Sequence, residues 1–143
     1  AMYRERAESL GLEHIIKIHD RIPYRQALTE MQKADGLLLF QGPSCDIQIP
    51  AKLYEYIRIG KPVFALTTSA GETGRLVEET KSGEVVAIDN PERICMALEN
   101  WYDKLGKSDL FLTDERTVQK FSRRSQTMQL AECFRNVLRF SNS

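Results

Sequence analysis

Apolar and polar residues follow one another along the chain in blocks that predict alternating helices and strands. Two continuous apolar runs, GLLLF at residues 36–40 and PVFAL at residues 62–66, are typical of strands covered on both faces. A further strand is predicted over Glu84–Ile88, and a short β-branched one over Ile15–Ile18. Between the predicted strands at residues 15–18 and 36–40, four apolar residues at helical spacing predict a buried stripe on one helix: Tyr24, Ala27, Leu28 and Met31.

Glycine, proline and asparagine mark the ends of the predicted helices. Gly11 suits the left-handed position after a helix over residues 3–10. Asn90 is a suitable cap for the helix that begins at Pro91. Pro23 and Pro50 likewise open helices where a missing N–H does no harm. Further helices are expected up to about residue 80 and over residues 114–121 and 122–139, and the last is expected to pack through Leu130, Phe134, Val137 and Leu138.

This order of elements predicts the fold class. Strands separated by helices form parallel βαβ units with right-handed crossovers. Because both apolar runs are predicted to be buried on both faces, we expect a three-layer α/β/α sheet of Rossmann type in one domain spanning residues 1–143. Ligands of such sheets bind outside the carboxyl ends of the strands. The loops expected there cover residues 19–23, 41–50 and 67–73.

Composition and charge exclude several classes of protein. Twenty basic residues balance twenty acidic ones, so no global charge attracts nucleic acid and an anion needs a local site. Three cysteines at long spacings and two histidines without an HExxH motif predict no metal site. No apolar run approaches the roughly 20 residues that span a bilayer, and no signal peptide opens the chain. We therefore expect a cytoplasmic protein.

The loop and helix that follow GLLLF contain the first candidate site. The helix that contains Ala51 begins at a strand's carboxyl end; if Pro50 is its first residue, Ile49 is the cap and offers no side-chain acceptor, so the free amides suit a phosphate. Lys52 and Glu55 share one flank, where Glu55 is placed to accept two ribose hydroxyls and Lys52 either to meet a diphosphate or to support Glu55. The alternative is a solvated Lys–Glu pair worth about 0.3–0.5 kcal/mol; the position at a strand end favours the binding role.

The loop after PVFAL is the second candidate. Gly71 and Gly74 allow close backbone approach, and Glu72 precedes or begins the next helix. This segment either cradles an anion or sugar hydroxyls, or it is an ordinary loop in which Glu72 favours the helix N-terminus. The chain has neither a GxGxxG nor a GxxxxGK[ST] motif, so a dinucleotide fingerprint and a P-loop are both excluded.

Residues 52–66, KLYEYIRIGKPVFAL, resemble a segment of family-4-type glycosyltransferases of GT-B fold. That segment is roughly Glu-Ala-x-Ala-x-Gly-x-Pro-Val, and the residues at its spacing here are Glu55, Gly60, Pro62 and Val63. Three more stretches are similar to the family in the same order: residues 18–40, 70–72 and 81–86. The similar part covers about residues 10–105, and the chain therefore resembles the C-terminal, donor-binding domain of such an enzyme.

The resemblance implies a glycosyltransferase that takes a UDP- or GDP-linked sugar as donor substrate, without a cofactor or metal. The acceptor would be a glycan or lipid-linked molecule in polysaccharide biosynthesis. Catalysis would be mainly electrostatic, and no individual catalytic residue is assigned. The implied donor contacts are Glu55 at the ribose, the helix start at the diphosphate (Ala51, Lys52, Leu53), backbone at the base (Arg21, Ile22), and the second loop near the phosphates or sugar (Gly71, Glu72, Thr73).

Two departures from the family pattern bear on activity. Many members have a glutamate where this chain has Ile47; either this subgroup does without it, or sugar recognition differs, or activity is lost. The family's cationic clamp and its acceptor domain lie ahead of residue 1, so we expect the fragment to show no transferase activity alone. Two alternative functions remain: a nucleotide-sugar 2-epimerase of the same architecture and a degenerate nucleotide-binding domain. For the longer enzyme, peripheral attachment to the inner membrane face is an alternative to a purely cytoplasmic location.

Overall fold

The chain folds as an α/β protein around three short parallel strands. The computed structural model describes residues 2–105, 107 and 113–141. In chain order the elements are α1 (Met2–Ser9), α2 (Tyr24–Lys33), β1 (Leu37–Phe40), a 3-10 turn (Pro43–Cys45), α3 (Ala51–Ile59), β2 (Val63–Leu66), α4 (Glu72–Thr80), β3 (Gly83–Val86), α5 (Pro91–Lys104), α6 (Glu115–Lys120) and α7 (Arg123–Ser141).

The three strands lie in sequence order, with β2 in the centre. Both pairings are parallel: Leu37 lies opposite Val63, and Val63 lies opposite Gly83. The connections through α3 and α4 make two consecutive βαβ units, as the pattern of the sequence predicted. The α/β class and the parallel sheet are therefore confirmed.

Strand β2 is buried along its whole length. Alternate side chains of a strand point to opposite faces, and Val63 and Ala65 pack in a cluster with Leu53 and Ile57 of α3 and with α4. On the other face, a second cluster contains Phe64 and Leu66 of β2, Val86 of β3 and Trp101 of α5. The rings of Phe64 and Trp101 lie 5.3 Å apart between centroids, tilted by 55°. The prediction of two covered faces is confirmed for residues 62–66.

Strand β1 does not follow the same prediction. Leu37 and Leu39 are buried, but the side chains of Leu38 and Phe40 are 47% and 64% exposed. The reason is that Leu37 and Leu39 pack in the cluster that includes α3 and α4, whereas the cluster on the other face, which contains Trp101 of α5, includes no residue of β1. An apolar run thus indicated a buried strand where one face is open.

The predicted strand over Ile15–Ile18 is also wrong. These residues form turns and irregular backbone, and the amides of Ile15 and Ile16 donate to the carbonyl of Leu12 at 3.0 and 2.8 Å. The preference of β-branched residues for strands depends on a partner strand and its packing, and local turn bonds occupy this segment instead. Residues 1–30 and 31–143 form two compact units, and the sheet lies in the second.

The helix ends agree well with the sequence signals. Gly11 and Gly60 adopt left-handed φ values of 67° and 73° after α1 and α3, where a residue without Cβ is favoured. The Asn90 side chain accepts a hydrogen bond of 2.9 Å from the amide of Arg93 and caps α5. Pro91 is the first residue of that helix, as predicted.

Helix α7 differs from the expectation that it packs through one apolar side. The four residues of that side are all more than half exposed: Leu130, Phe134, Val137 and Leu138. Their helical spacing is correct, but no other part of the described chain buries them. Within the described residues, no helix combines the length and apolar character needed to cross a membrane.

Candidate functional site

The loops that follow β1 and β2 lie side by side at the carboxyl end of the sheet. The amide of Gln41 extends the ladder by donating to the carbonyl of Leu66 at 3.0 Å. Further along the same loop, the carbonyl of Asp46 accepts a 2.8 Å hydrogen bond from the amide of Glu72, the first residue of α4. The two predicted ligand-binding loops are therefore joined directly by backbone.

A buried set of polar groups strengthens that joint, and we call it the Gln41 network: the side chains of Gln41 and Thr73 with the carbonyls of Cys45 and Gln48. The Gln41 amide nitrogen donates to the carbonyls of Cys45 and Gln48 at 2.7 and 2.8 Å. The hydroxyl of Thr73 lies in hydrogen-bond contact with the Gln41 carbonyl oxygen, and 3.0 Å from the carbonyl of Gln48. Both side chains are buried, so the network is enclosed by protein.

Two glycines at the start of α4 allow close packing here: Gly71 against the first loop, and Gly74 against the carbonyls of Thr68 and Ser69 in its own loop. A Cβ on Gly71 would lie 3.2 Å from the Asp46 carboxylate, and one on Gly74 would lie 2.8 Å from the carbonyl of Thr68. The close approach that their sequence predicted therefore occurs, but the approaching groups belong to this chain. One carboxylate oxygen of Asp46, Oδ1, is buried beside Gly71 and has no hydrogen-bond partner among the described residues.

Helix α3 begins with an uncapped first turn at this end of the sheet. Pro50 is its N-cap with φ −66° and ψ 137°, and no side chain caps the turn. Ala51 and Lys52 are exposed, and the turn contains no acidic residue. A helix N-terminus has about half a positive charge together with unbonded amides, so this end of α3 is suited to an anion.

Glu55 lies one turn further along α3 and is half-buried. Its charge acts on the neighbouring Tyr56, whose hydroxyl donates to the carbonyl of Leu38 at 3.4 Å. Burial raises the pKa of the Tyr56 phenol above its ordinary value of 10.0, and the nearby Glu55 carboxylate raises that pKa further. The carboxylate of Glu55 therefore lies close enough to the buried Tyr56 phenol to influence its protonation.

The raised pKa of Tyr56 gives an expected pH dependence. Because the folded-state pKa lies above the unfolded value, the neutral phenol contributes stability below pH 10.0 that is lost as pH rises through the folded pKa. Tyr56→Phe should flatten the fall of the free energy of unfolding above that pH. Urea titrations at several alkaline pH values measure it, with Tyr102→Phe, at a 73% exposed tyrosine, as the control. If the free energy of unfolding falls equally steeply with pH in the unsubstituted chain and in both variants, the raised pKa does not belong to Tyr56.

The structure brings most of the predicted donor-binding residues to this end of the sheet, but not in equivalent roles. Ala51 and Lys52 are exposed at the start of α3. The side chain of Leu53 is fully buried, and its amide donates to the carbonyl of Pro50 at 2.9 Å. Leu53 therefore supports the helix from inside and offers no group to a ligand.

The residues of the second loop divide in the same way. Gly71 is buried, and Thr73 is 1% exposed with its hydroxyl inside the Gln41 network. Glu72 is exposed and forms an ion pair of 3.1 Å with Arg75. Arg21 and Ile22 belong to the unit of residues 1–30, where both are exposed.

Sequence reasoning missed Gln41, Asp46 and Gln48, which determine how the loops are joined. The available signal was the position of Gln41, a polar residue placed immediately after a buried strand at the end where ligands bind. Ile47, the residue that departs from the family pattern, projects into solvent with 88% of its surface exposed. It therefore takes no part in the packing of the loop.

A separate cleft of about 850 Å³ lies between α6 and α7. Its charged lining residues have both signs: Glu115, Arg116, Lys120, Glu132 and Arg135. Since neither helix contributes to the loops at the sheet's carboxyl end, this cleft is distinct from the candidate site. Among the described residues, no three His, Cys, Asp or Glu side chains are grouped as metal ligands would be.

Comparison with known proteins adds nothing to this geometry. No protein-family model, curated protein or solved structure matches the chain.

Proposed function

We propose that this chain is a nucleotide-binding domain with a three-layer, Rossmann-like arrangement of helices around its parallel sheet. The support is the packing of α3 and α4 on one face of β2 and of α5 on the other. In such sheets the nucleotide occupies the carboxyl ends of the strands, which is where the candidate site lies.

More narrowly, we propose that it is the donor-binding half of a GT-B glycosyltransferase that transfers a sugar from a UDP- or GDP-linked donor to a glycan or lipid-linked acceptor. The resemblance of residues 52–66 to family-4-type enzymes suggests this activity. The donor is a substrate, and the proposal includes no cofactor or metal. The acceptor site and the cationic clamp belong to parts of the enzyme outside these residues, and the enzyme works in the cytoplasm or at the inner membrane face.

The single observation that most supports a donor site is the uncapped first turn of α3 beside Glu55. Ala51 and Lys52 are exposed residues in a first turn that no side chain caps, and the amides of such a turn suit the diphosphate. Glu55 is half-buried one turn further on, where a carboxylate can accept hydrogen bonds from two ribose hydroxyls. Burial of these hydrogen bonds in a partly desolvated position strengthens them relative to a surface contact.

Electrostatics favour α3 over α4 for the diphosphate. Helix α4 also begins at this end of the sheet, but Glu72 occupies its first turn and the Asp46 carboxylate lies beside its N-cap, Gly71. Two carboxylates there would repel a phosphate, whereas the first turn of α3 has none. We therefore place the diphosphate at α3 and give the second loop a supporting role.

The substitution Glu55→Gln tests this proposal directly. It keeps the side chain's shape and removes its charge, and loss of charged hydrogen bonds of about 1.5–3 kcal/mol corresponds to a Kd increase of about tenfold or more. The measurement is an amide-shift NMR titration of the isotope-labelled 143-residue chain with UDP, GDP, ADP, CMP and dTDP. Shifts are expected at residues 51–55 for one nucleotide in preference to the others.

Glu79→Gln is the matched control for charge. Glu79 is an exposed residue near the C-terminal end of α4, away from the carboxyl end of the sheet, and its substitution should leave the Kd unchanged. Equal affinity of the Glu55→Gln and unsubstituted chains, or shifts centred elsewhere than α3, would rule out the proposed ribose contact.

A degenerate, non-catalytic nucleotide-binding domain is a second candidate, favoured by the exposed Ile47 in place of the family's glutamate. The two functions differ in what they recognise beyond the diphosphate. A donor site should bind a nucleotide sugar with additional shifts near residues 47–48 and 71–72 compared with the nucleotide alone. Identical shifts with the sugar-linked and sugar-free ligands would favour the degenerate domain.

A further inference from the structure

The two loops of the candidate site each lead into a helix whose N-terminus lies at the carboxyl end of the sheet. The Gln41 network joins them: Gln41 opens the first loop, Gln48 stands just ahead of the Pro50 N-cap of α3, and Thr73 belongs to the first turn of α4. The network therefore connects the starts of both helices through three residues and short hydrogen bonds.

The network uses the polar groups of both its side chains. Gln41 donates both amide protons, to the carbonyls of Cys45 and Gln48, and its oxygen accepts from Thr73. The single hydroxyl proton of Thr73 is shared between Gln41 and the carbonyl of Gln48 at 3.0 Å. Since Thr73 is 1% and Gln41 9% exposed, neither side chain is available to touch a ligand.

We propose that Gln41 and Thr73 are positioning residues that hold the first turn of α3 in the geometry that binds the diphosphate. Two of the network's bonds end on the carbonyl of Gln48, two residues before the N-cap. Fixing that carbonyl fixes the direction in which Pro50 enters the helix and hence where the amides of Ala51 and Lys52 point. This inference rests on the proposed nucleotide site and adds the residues that set its shape.

The same bonds make the geometry of the first loop dependent on α4. The amide of Glu72 holds the carbonyl of Asp46 at 2.8 Å, while Thr73 in the next position holds Gln48. A displacement of the start of α4 is therefore transmitted to the start of α3. Anion binding by backbone amides requires that they converge on one point, and errors of about 1 Å in position are enough to weaken such contacts strongly.

The test compares Thr73→Val with Thr73→Ser and Thr80→Val. Valine keeps the branched shape of Thr73 and removes the hydroxyl, whereas serine keeps the hydroxyl. Thr80 offers a matched control, because it is 2% exposed in the last turn of the same helix and its hydroxyl donates to the carbonyl of Leu76 at 2.6 Å. Both valine variants lose one buried hydroxyl, but only one of them loses it at the proposed site.

We expect Thr73→Val to raise the Kd of the preferred nucleotide by about tenfold, while Thr73→Ser and Thr80→Val remain within about twofold. Thermal melting is measured on every variant, so that a general loss of stability, expected in both valine variants, is separated from the effect on binding. Should Thr73→Val fail to fold, Gln41→Met removes the hydrogen bond between Gln41 and Thr73 from the other partner, together with the bonds from Gln41 to the carbonyls of Cys45 and Gln48.

Amide hydrogen exchange without any nucleotide gives a readout independent of the proposed function. Thr73→Val should speed the exchange of the Leu53 amide, which donates to the carbonyl of Pro50 at 2.9 Å in the first turn of α3, and Thr80→Val should not. Unchanged exchange and unchanged affinity in Thr73→Val would overturn the positioning role. If the unsubstituted chain binds no nucleotide, the donor-site proposal fails by itself, and the exchange experiment still decides whether the network holds the start of α3.

Discussion

Replacing Gly83 with alanine is expected to lower the free energy of unfolding by about 3 kcal/mol, at the upper end of the usual cost of overpacking. A Cβ at this position would lie 1.8 Å from the carbonyl oxygen of Val63 and 2.6 Å from its carbonyl carbon. These are backbone atoms of the central strand, paired with Gly83 in the register of the sheet. No side-chain rotation can relieve the overlap, so β3 must move away from β2.

Urea unfolding followed by circular dichroism measures this loss. Gly42→Ala is the matched control, because a Cβ there meets no atom within 4 Å and its φ of −73° suits any residue. That substitution should be neutral or stabilise by up to about 1 kcal/mol through the unfolded state. Similar urea midpoints for Gly83→Ala and Gly42→Ala would mean that β3 does not pair with β2 as described.

Phe64→Ala is expected to cost about 3–5 kcal/mol, the usual range for a fully buried aromatic residue. Phe64 is 1% exposed and packs with Trp101 of α5 on the second face of the sheet. Its removal leaves a cavity between β2 and α5 and takes away the tilted ring contact, whose centroids are 5.3 Å apart. In a urea titration, loss of α5 from the sheet should appear as a change in the fluorescence of Trp101 at a lower urea concentration than in the unsubstituted chain.

Phe40→Ala is the comparison that makes this result informative. Phe40 is also in a strand of the sheet, but it is 64% exposed, so its replacement should change stability by no more than about 0.5 kcal/mol. Equal losses in the two variants would mean that β1 is covered on both faces, as the GLLLF sequence suggested. A large difference would support the one-sided burial seen in the structure.

The helix boundaries could be predicted because their causes are local. Gly11, Gly60, Asn90 and Pro91 act through their own backbone or through a residue three positions away, and such effects are visible in a sequence window. The parallel order of the strands followed in the same way, since a strand, a helix and a strand in succession leave few alternatives.

Burial could not be predicted to the same extent, because it depends on what lies opposite. PVFAL and GLLLF have the same apolar character, yet residues of β2 pack in clusters on both faces of the sheet and residues of β1 in only one of them. Ile15–Ile18 has strand composition without a strand. In each case the missing information was the identity of the neighbouring element, which composition alone does not specify.

The places of the candidate residues in the fold could be predicted in part, but the contacts that each of them makes could not. The carboxyl ends of β1 and β2 were the expected place, and Ala51, Lys52 and Glu55 do lie on the helix that begins there. The family resemblance implied that Thr73 lies near a ligand, but burial and the bonds to Gln41 and Gln48 give it a structural role. A hydroxyl's partners are set by tertiary contacts, so a sequence window could not separate the two roles.

The open side of β1 has a consequence for the behaviour of the chain at high concentration. The amides of Leu37 and Gln41 point toward β2 and its loop, so the backbone of Leu38 and Phe40 faces away from the sheet. The Tyr56 hydroxyl occupies the carbonyl of Leu38 at 3.4 Å, which covers part of this edge. Uncharged strand edges with exposed apolar side chains serve as templates for the addition of another chain. Self-association through this edge is therefore expected to increase with protein concentration.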